Sequence, residues 1–514
     1  MPAARKIGGF KSHAANMGCS KCYKSFPGGF GEKKDYSGFD RNTWPSRTKE
    51  KHNRYARLVN KAKTVKEFNR LSKKYGTYYS ILTELSYFDC TRMISIDPMH
   101  NLFLGIGKMM FKLYLKNFLS PKKLKILNER IHSMTVACDI GRIPHKIASN
   151  YGKFSANEWK YWITVFSMYS LNGLIPKEHL LCWERFVMAC KILCKPYIKE
   201  NDIRKADILL LNFCIRCEQL YGKKVITPNM HLMCHMRECL FDYGPISAFW
   251  CFPFERYNGY FGDIPTNNRS VEIQFMRKLT VLKFVQNVDV NSDFSQQFST
   301  LLERPGTKEN LCKISDLSLL AAADAESMEG FHWGCNESIT LPSTHVDGIL
   351  CVDDTDLLEA VYKFMYPNKI ISNMSKVIKK YTSLHIYGEK FGSKMASRTL
   401  RSARVMAKWA GNCGEIDISP INMRPCIVDW YFSHNVQIDG EKILHHFACV
   451  RWYKQHAAKG KFGNTVQVWQ QKSFEMKGKS KFLPVYRIAC RYACADLKDN
   501  SQVVSAVNRR IVVY

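Results

Sequence analysis

Gly18-Cys19-Ser20-Lys21-Cys22 and, far downstream, Thr227-Pro228-Asn229-Met230-His231-Leu232-Met233-Cys234-His235 are the two stretches on which the reading of this chain turns. A Cys-x-x-Cys pair presents two thiolates to one cation, and histidines at i and i+4 share a helix face. Together they supply the tetrahedral ligand set of a structural zinc. The half-sites are 231 − 22 = 209 residues apart, whereas compact zinc fingers close over roughly one or two dozen. The expected zinc therefore clamps a large inserted body at its base. Neither pair carries this alone, because paired histidines are common in cores and on surfaces. A thioredoxin-like role for Cys19 and Cys22 lacks the strand–turn–helix unit it needs. Cys234 is an alternative ligand. Cys214-Ile-Arg-Cys217, and Cys190 with Cys194, fall in apolar helical patterns and read as core thiols.

Several further stretches resemble one family. Met1-Pro-Ala-Ala-Arg-Lys through Pro27, Ile96-Asp97-Pro98-Met99-His100-Asn101-Leu102, Thr227 to His231, and Tyr243-Gly244-Pro245 through Phe254-Glu255-Arg256-Tyr257-Asn258-Gly259 are similar to CACTA-type (En/Spm) transposases. The Cys-x-x-Cys…His-x-x-x-His…Glu order also occurs in Transib transposases and in the catalytic subunit of the V(D)J recombinase. Residues 1–290 carry the resemblance. It implies a DDE enzyme, in which two aspartates and a glutamate on an RNase H-like core hold two Mg²⁺ for DNA strand cleavage and transfer. Glu255 matches the third acid. The second aspartate belongs just ahead of the segment matching Pro2 to Lys6, and the first lies further upstream, so neither is expected in a chain that starts at Met1. Two closely spaced metals need several carboxylates. The resemblance therefore implies an N-terminally truncated, transposase-derived DNA-binding protein, nuclear, with no catalysis of its own. A homo-oligomer is compatible with it. The alternative is a domesticated zinc-stabilised chromatin, DNA-binding or protein-interaction protein.

The residues themselves bound these expectations. With 514 residues, 46% of them hydrophobic, the chain can bury more than one core. No apolar run approaches the eighteen or so residues of a membrane span. The net charge is +31 and uneven: residues 1–80 hold 19 Lys and Arg against 5 Asp and Glu, and residues 301–370 hold 5 against 12. A basic N-terminal part with Trp44, Tyr55, Tyr75, Tyr78 and Tyr79 interleaved suits a polyanion such as DNA.

The expected fold class is α+β: a partial RNase H-like remnant with a large all-α insertion, followed by a small β-barrel-like domain. The boundaries read as a zinc hook over 1–40, a helical insertion over 41–230, and the second half-site with the Glu255 helix over 231–294. An acidic linker over 295–360 and a β-rich domain over 361–514 complete the chain. Basic and apolar residues alternate at helical spacing over 41–82. Ser120-Pro121 and the capping box Ser155 to Glu158 start helices. Residues 177–197 and 202–221 keep the helical period, and Leu317 to Ala323 suggests a short helix inside the linker. Strands are expected at 426–432, 443–452, 465–469 and 482–486, rich in β-branched and aromatic residues. Asp97 and His100, three apart, read as a structural hydrogen bond that positions the insertion. Glu255, set between aromatics, is expected to need a cation or Arg256 to satisfy it.

Overall fold

Capping chemistry starts the helices of the N-terminal body. Thr48 and Thr64 accept hydrogen bonds from Lys51 N and Glu67 N, opening α1 (Lys49–Asn60) and α2 (Val65–Tyr75). Gly76, at φ 63°, closes α2 in the left-handed conformation that glycine adopts without cost. Ser120 caps Pro121–Ser133, and Ser155 with Glu158 forms the expected capping box. The two longest helices, α3 (Lys177–Leu193) and α4 (Glu200–Tyr221), pack side by side. The structure is a computed structural model that describes residues 2–28, 33–137, 140–141, 143–267, 269–286, 311–312, 314–323, 331, 333–334, 338–396, 400–419, 423–509 and 512–513.

Trp159, Trp162 and Trp183 lie fully buried at the centre of the helical body. Met99–Gly107 and Trp162–Phe166 are π-helical turns, and they meet closely. A Cβ on Gly107 would sit 2.7 Å from Ile163 Cδ1, so a larger residue there would force the Ile163 side chain to shift. The body continues through α5 (Pro228–Met233), α6 (Met236–Tyr243) and α7 (Phe252–Gly262). Among the described residues before 311, backbone pairing of the β type is limited to isolated bridges: Phe10 with Thr77, Cys22 with Ser46, and Thr135 with Cys494. After a short helix, Pro2–Ile7, the described residues up to 40 keep their shape through loop hydrogen bonds and side-chain packing.

The C-terminal half is built on a ten-stranded sheet, antiparallel throughout, and the chain as a whole is α+β. Its strands are β1 (Val346–Ile349), β2 (Ile371–Ser372), β3 (Val377–Tyr381), β4 (Arg404–Ala407) and β5 (Arg424–Ile438). They continue with β6 (Glu441–Gln455), β7 (Gln467–Phe474), β8 (Phe482–Pro484), β9 (Ile488–Asp496) and β10 (Ser501–Val507). Asp439 and Gly440, both at positive φ, form the two-residue turn between β5 and β6, the geometry that an Asp-Gly hairpin favours. Pairing runs β6-β7-β10-β9-β4-β5, and β5 pairs again with β6, so this six-strand path returns on itself. All six strands contribute to one cluster: Met406, Ile427, Tyr453, Trp469, Tyr492 and Val504. Val405, Ala407, Cys426 and Val428 alternate to the opposite face, where α8 (Val352–Met365) packs with Leu358, Val361 and Tyr362. Alternation with period two produces this two-sided burial.

The described part of the expected acidic linker is structured. Ile314–Ala323 is helical, β1 starts at Val346, and Leu350 and Leu358 are buried. A boundary at 361 would cut α8, because apolar residues at helical spacing continue across it. The acidic residues Asp324, Glu326 and Glu329, with residues 295–310, lie outside the described residues. The sheet also joins the helical body. Asn464 N and Gly463 approach Glu184, Lys191 Nζ donates to Thr465 O at 3.0 Å, and Asn508 donates to Lys191 O at 2.8 Å. Val466, Val468 and Ala493 belong to the same apolar core as the helices.

Candidate metal centre

The loop carrying the cysteines is pinned against the strand-like entry to α1. Tyr23 N donates to Pro45 O at 2.7 Å, and Arg47 N donates to Lys21 O at 2.9 Å. The buried Arg47 guanidinium then closes the loop from below. Its Nε donates to Cys19 O at 2.9 Å and Cys22 O at 3.2 Å, while its other nitrogens reach Met17 O, Tyr75 O and Thr77 Oγ1. Lys21 N approaches Cys19 Sγ at 3.3 Å, the kind of contact that stabilises a thiolate.

His231 lies in α5, and His235 sits in the joint between α5 and α6. The expectation of one shared helix face is thereby corrected: the chain breaks at Cys234, yet the rings still approach to 5.1 Å. The helix start is held from the other side of the body. Asn101 Nδ2 donates to Asn229 O at 3.0 Å, and Gly105 leaves room for the Asn229 amide, which a Cβ there would meet at 2.3 Å.

Cys19, Cys22, His231 and His235 are all buried, and one ligand atom from each lies within 4.8 Å of all the others. Cys22 Sγ is 3.3 Å from His231 Nε2. His235 Nδ1 bonds Glu238 Oε1 at 2.7 Å, leaving a buried Nε2 that makes no hydrogen bond. Phe26, Tyr36 and Trp44 wall the cluster, with Trp44 4.3 Å from the His231 ring. Trp44 is buried here, whereas Tyr55 and Tyr75 are half-buried and stack on one another at 4.0 Å, with Arg54 over the Tyr55 ring and Lys74 over the Tyr75 ring.

The protonation chemistry fits a divalent cation. Burial alone would raise Cys19, but hydrogen bonding from Cys22 and the His235 and His231 imidazoles pull it well below the usual thiol range. Cys22, bonded to that sulphur and buried, is pushed up. Burial opposes a charge on His235, yet Cys19 and Glu238 together raise it to about 10. A cation that accepts two thiolates and two neutral imidazoles removes these conflicts at once. The four residues can hold a metal ion, and the donor set is compatible with structural zinc.

Among the described residues, no other cysteine joins the cluster. Cys234 Sγ lies 3.7 Å from Cys214 Sγ, and Cys182 Sγ lies 3.7 Å from Cys217 Sγ, all within the helical core. Cys190 is buried and Cys194 half-buried on α3 and its end.

Asp97, His100 and Cys251 form a second gathering of ligand-type atoms. Asp97 is almost fully buried. Its Oδ1 accepts from Met99 N at 3.0 Å and Cys251 N at 2.9 Å; its Oδ2 accepts from His100 N at 3.1 Å and from His100 Nδ1. Four hydrogen bonds occupy the carboxylate, and burial with the Asp97 charge pushes the Cys251 thiol up to about 11. This hub ties the π-helical turn to the start of α7. His100 Nε2 faces Glu255 Oε1 at 3.8 Å.

Glu255 itself departs from its expected surroundings. Its side chain is half exposed on α7, a helix with no buried residue, beside the exposed Phe254 and Tyr257. The aromatics point to solvent, so the carboxylate is hydrated and needs no compensating Arg256. Among the described residues its one basic partner within 4.0 Å is the His100 imidazole.

Sequence reasoning passed over Glu238 and Arg47. The His235-to-Glu238 spacing of three was a usable signal, since i, i+3 side chains meet. Arg47 has no such signal, because its bonds span 25 to 30 residues through irregular backbone. No protein-family model matches this chain, and no curated protein matches it significantly.

Proposed function

We propose that this chain is a zinc-clamped DNA-binding protein of CACTA-type transposase descent, with the clamp intact and no strand cleavage of its own. The reading is carried by one observation: the two half-sites, 209 residues apart, converge within 4.8 Å in the order that the family motif requires. The +31 net charge supports a polyanionic partner, and DNA would place the protein in the nucleus. The zinc is structural, since four protein ligands leave no open position. The closed six-strand path of β4, β5, β6, β7, β9 and β10 reads as a small β-barrel, and residues 1–40 with α7 as the remnant of an RNase H-like core.

The reading without catalysis rests on carboxylate chemistry. A two-metal centre needs several acids around Glu255. Among the described residues, Asp97 is already saturated by hydrogen bonds, and Glu255 belongs to no cluster of three or more ligand-type side chains. The same observation favours a domesticated DNA- or chromatin-binding role in which Glu255 is dispensable.

The experiment measures binding to duplex DNA across a salt series, with strand cleavage assayed in Mg²⁺. Salt-sensitive binding, lost in Cys22→Ser and unchanged in Glu255→Gln, is expected. Cleavage by the unaltered chain that disappears in Glu255→Gln would overturn the non-catalytic reading. Binding indifferent to salt would point instead to a protein-interaction scaffold.

A further inference from the structure

The helical hairpin α1–α2 carries a dense positive charge that the metal centre leaves unexplained. Residues 49–75 contain ten Lys and Arg against two acids, Glu50 and Glu67, a surplus of eight. Helical periodicity sorts them. His52, Ala56 and Val59 face inward and are buried, whereas Arg54, Arg57 and Lys61 recur at i, i+3 and i+7 on the outer face and are exposed. On α2, Lys66, Arg70 and Lys73 repeat the pattern at i, i+4 and i+7, also exposed. Seven residues of helix rise about 10 Å, so each stripe presents three cations over that distance.

These cations are not consumed by internal pairing. Among the described residues, the hairpin's one side-chain ion pair within 4.0 Å is Arg57 with Glu84, at 3.9 Å and exposed on both sides. An open groove of about 590 Å³ runs along the outer face of α1, lined by four cations (Lys49, Arg54, Arg57 and Lys61) and one acid, Glu50, with Asn53 and Leu58. Unpaired like charges concentrated on one face repel one another, and a polyanion relieves that repulsion.

The hairpin is also rigidly mounted. Tyr55 stacks on Tyr75 with the rings 9° from parallel, joining the two helices. Arg47, which grips the carbonyls of Cys19 and Cys22, simultaneously bonds Tyr75 O and Thr77 Oγ1 at the far end of α2. His52 Nε2 meets Gly8 O at 3.1 Å, tying α1 to the segment before the cysteines. One guanidinium therefore couples the metal-binding loop to the cationic surface.

We propose that the outer face of α1–α2 is the surface that grips the phosphate backbone of duplex DNA, held at a fixed angle by the metal-clamped loop. This rests on the DNA-binding reading above and names the part of the protein that does the binding. Duplex DNA carries one negative charge per about 1.7 Å of axis, so each stripe can meet several phosphates without reading base sequence.

The test compares three forms of the full chain by fluorescence anisotropy on a 30-base-pair duplex of arbitrary sequence. These are the unaltered protein, Arg54→Glu/Arg57→Glu/Lys61→Glu, and a control triple on β6 and the turn after it, Lys442→Glu/Lys454→Glu/Lys459→Glu. All six side chains are exposed, and unchanged circular dichroism melts verify folding. The hairpin triple should bind at least tenfold more weakly, with the slope of log K against log salt reduced by about two to three, near 0.9 per lost phosphate contact. The control triple should keep the larger part of both. Equal losses in the two triples would overturn the hairpin assignment while leaving DNA binding itself standing. No binding by the unaltered protein would sink both. Tighter binding to phosphatidylserine vesicles or to single-stranded RNA than to the duplex would reassign the surface.

Discussion

Cys22 Sγ and His231 Nε2 lie 3.3 Å apart although 209 residues separate them along the chain. A contact of that span closes a very long loop, and the entropy lost on closure must be recovered where the ends meet. A metal bond recovers it in a way that a weak thiol–imidazole contact does not. The larger part of the helical body is strung between the two half-sites, so its stability is expected to depend on the ion.

One zinc per chain is the first expected outcome, measured by elemental analysis of folded protein. Cys22→Ser should abolish the bound metal, and a chelator should lower the melting temperature of the unaltered chain without affecting the variant. A metal-free protein that melts at the same temperature with and without added zinc would contradict the clamp.

Glu238 orients His235 by accepting from Nδ1 at 2.7 Å. Such carboxylate–histidine partners typically alter metal affinity by ten- to a hundredfold. Glu238→Gln should weaken zinc binding by that order in a competition titration with a chromophoric chelator, while saturating zinc restores the melting temperature. An unchanged affinity would assign Glu238 to the surface alone.

Arg47→Lys keeps the charge but cannot reproduce the fork that reaches six acceptors. Several buried carbonyls would lose their donor, and each such loss costs about 1–3 kcal/mol. A total loss of roughly 3 kcal/mol in denaturant unfolding is expected, with zinc released at lower denaturant than the global transition. A change below 1 kcal/mol would show that water or neighbouring groups replace the guanidinium.

Acid sensitivity should come from the sheet as well as the metal. Burial lowers His445 and His446 to about 4, so both stay neutral in the folded protein while the unfolded chain protonates them near 6.5. Between those values the unfolded state binds more protons, and stability therefore falls as pH drops from about 6.5 towards 4. The contribution of each at the acid end is on the order of 3 kcal/mol. Melting temperatures across this window should fall more gently in His446→Gln than in the unaltered protein; parallel curves would remove His446 from the account.

How much of this was legible beforehand differs from element to element. Ser120-Pro121 and the Ser155–Glu158 box announce their helices because capping is a local event within four residues. Strands β5 and β6 were visible as β-branched and aromatic runs, whereas β1, from Val346, was hidden by the acidic residues around it. Edge position explains this: a strand paired on one side needs little apolar character. Glu255 was misjudged because aromatic neighbours in sequence suggested burial, and the helix turns Phe254 and Tyr257 outward.

By itself the sequence determined the ligand types, their spacing, the helical period and the surplus of positive charge, because each is a property of residues near one another or of a simple sum. The tertiary structure alone decided that the thiols and imidazoles share one buried space, that Arg47 couples them to α1–α2, and that six strands close on themselves. Those outcomes depend on contacts between segments tens to hundreds of residues apart, and such contacts arise from packing that no local pattern encodes.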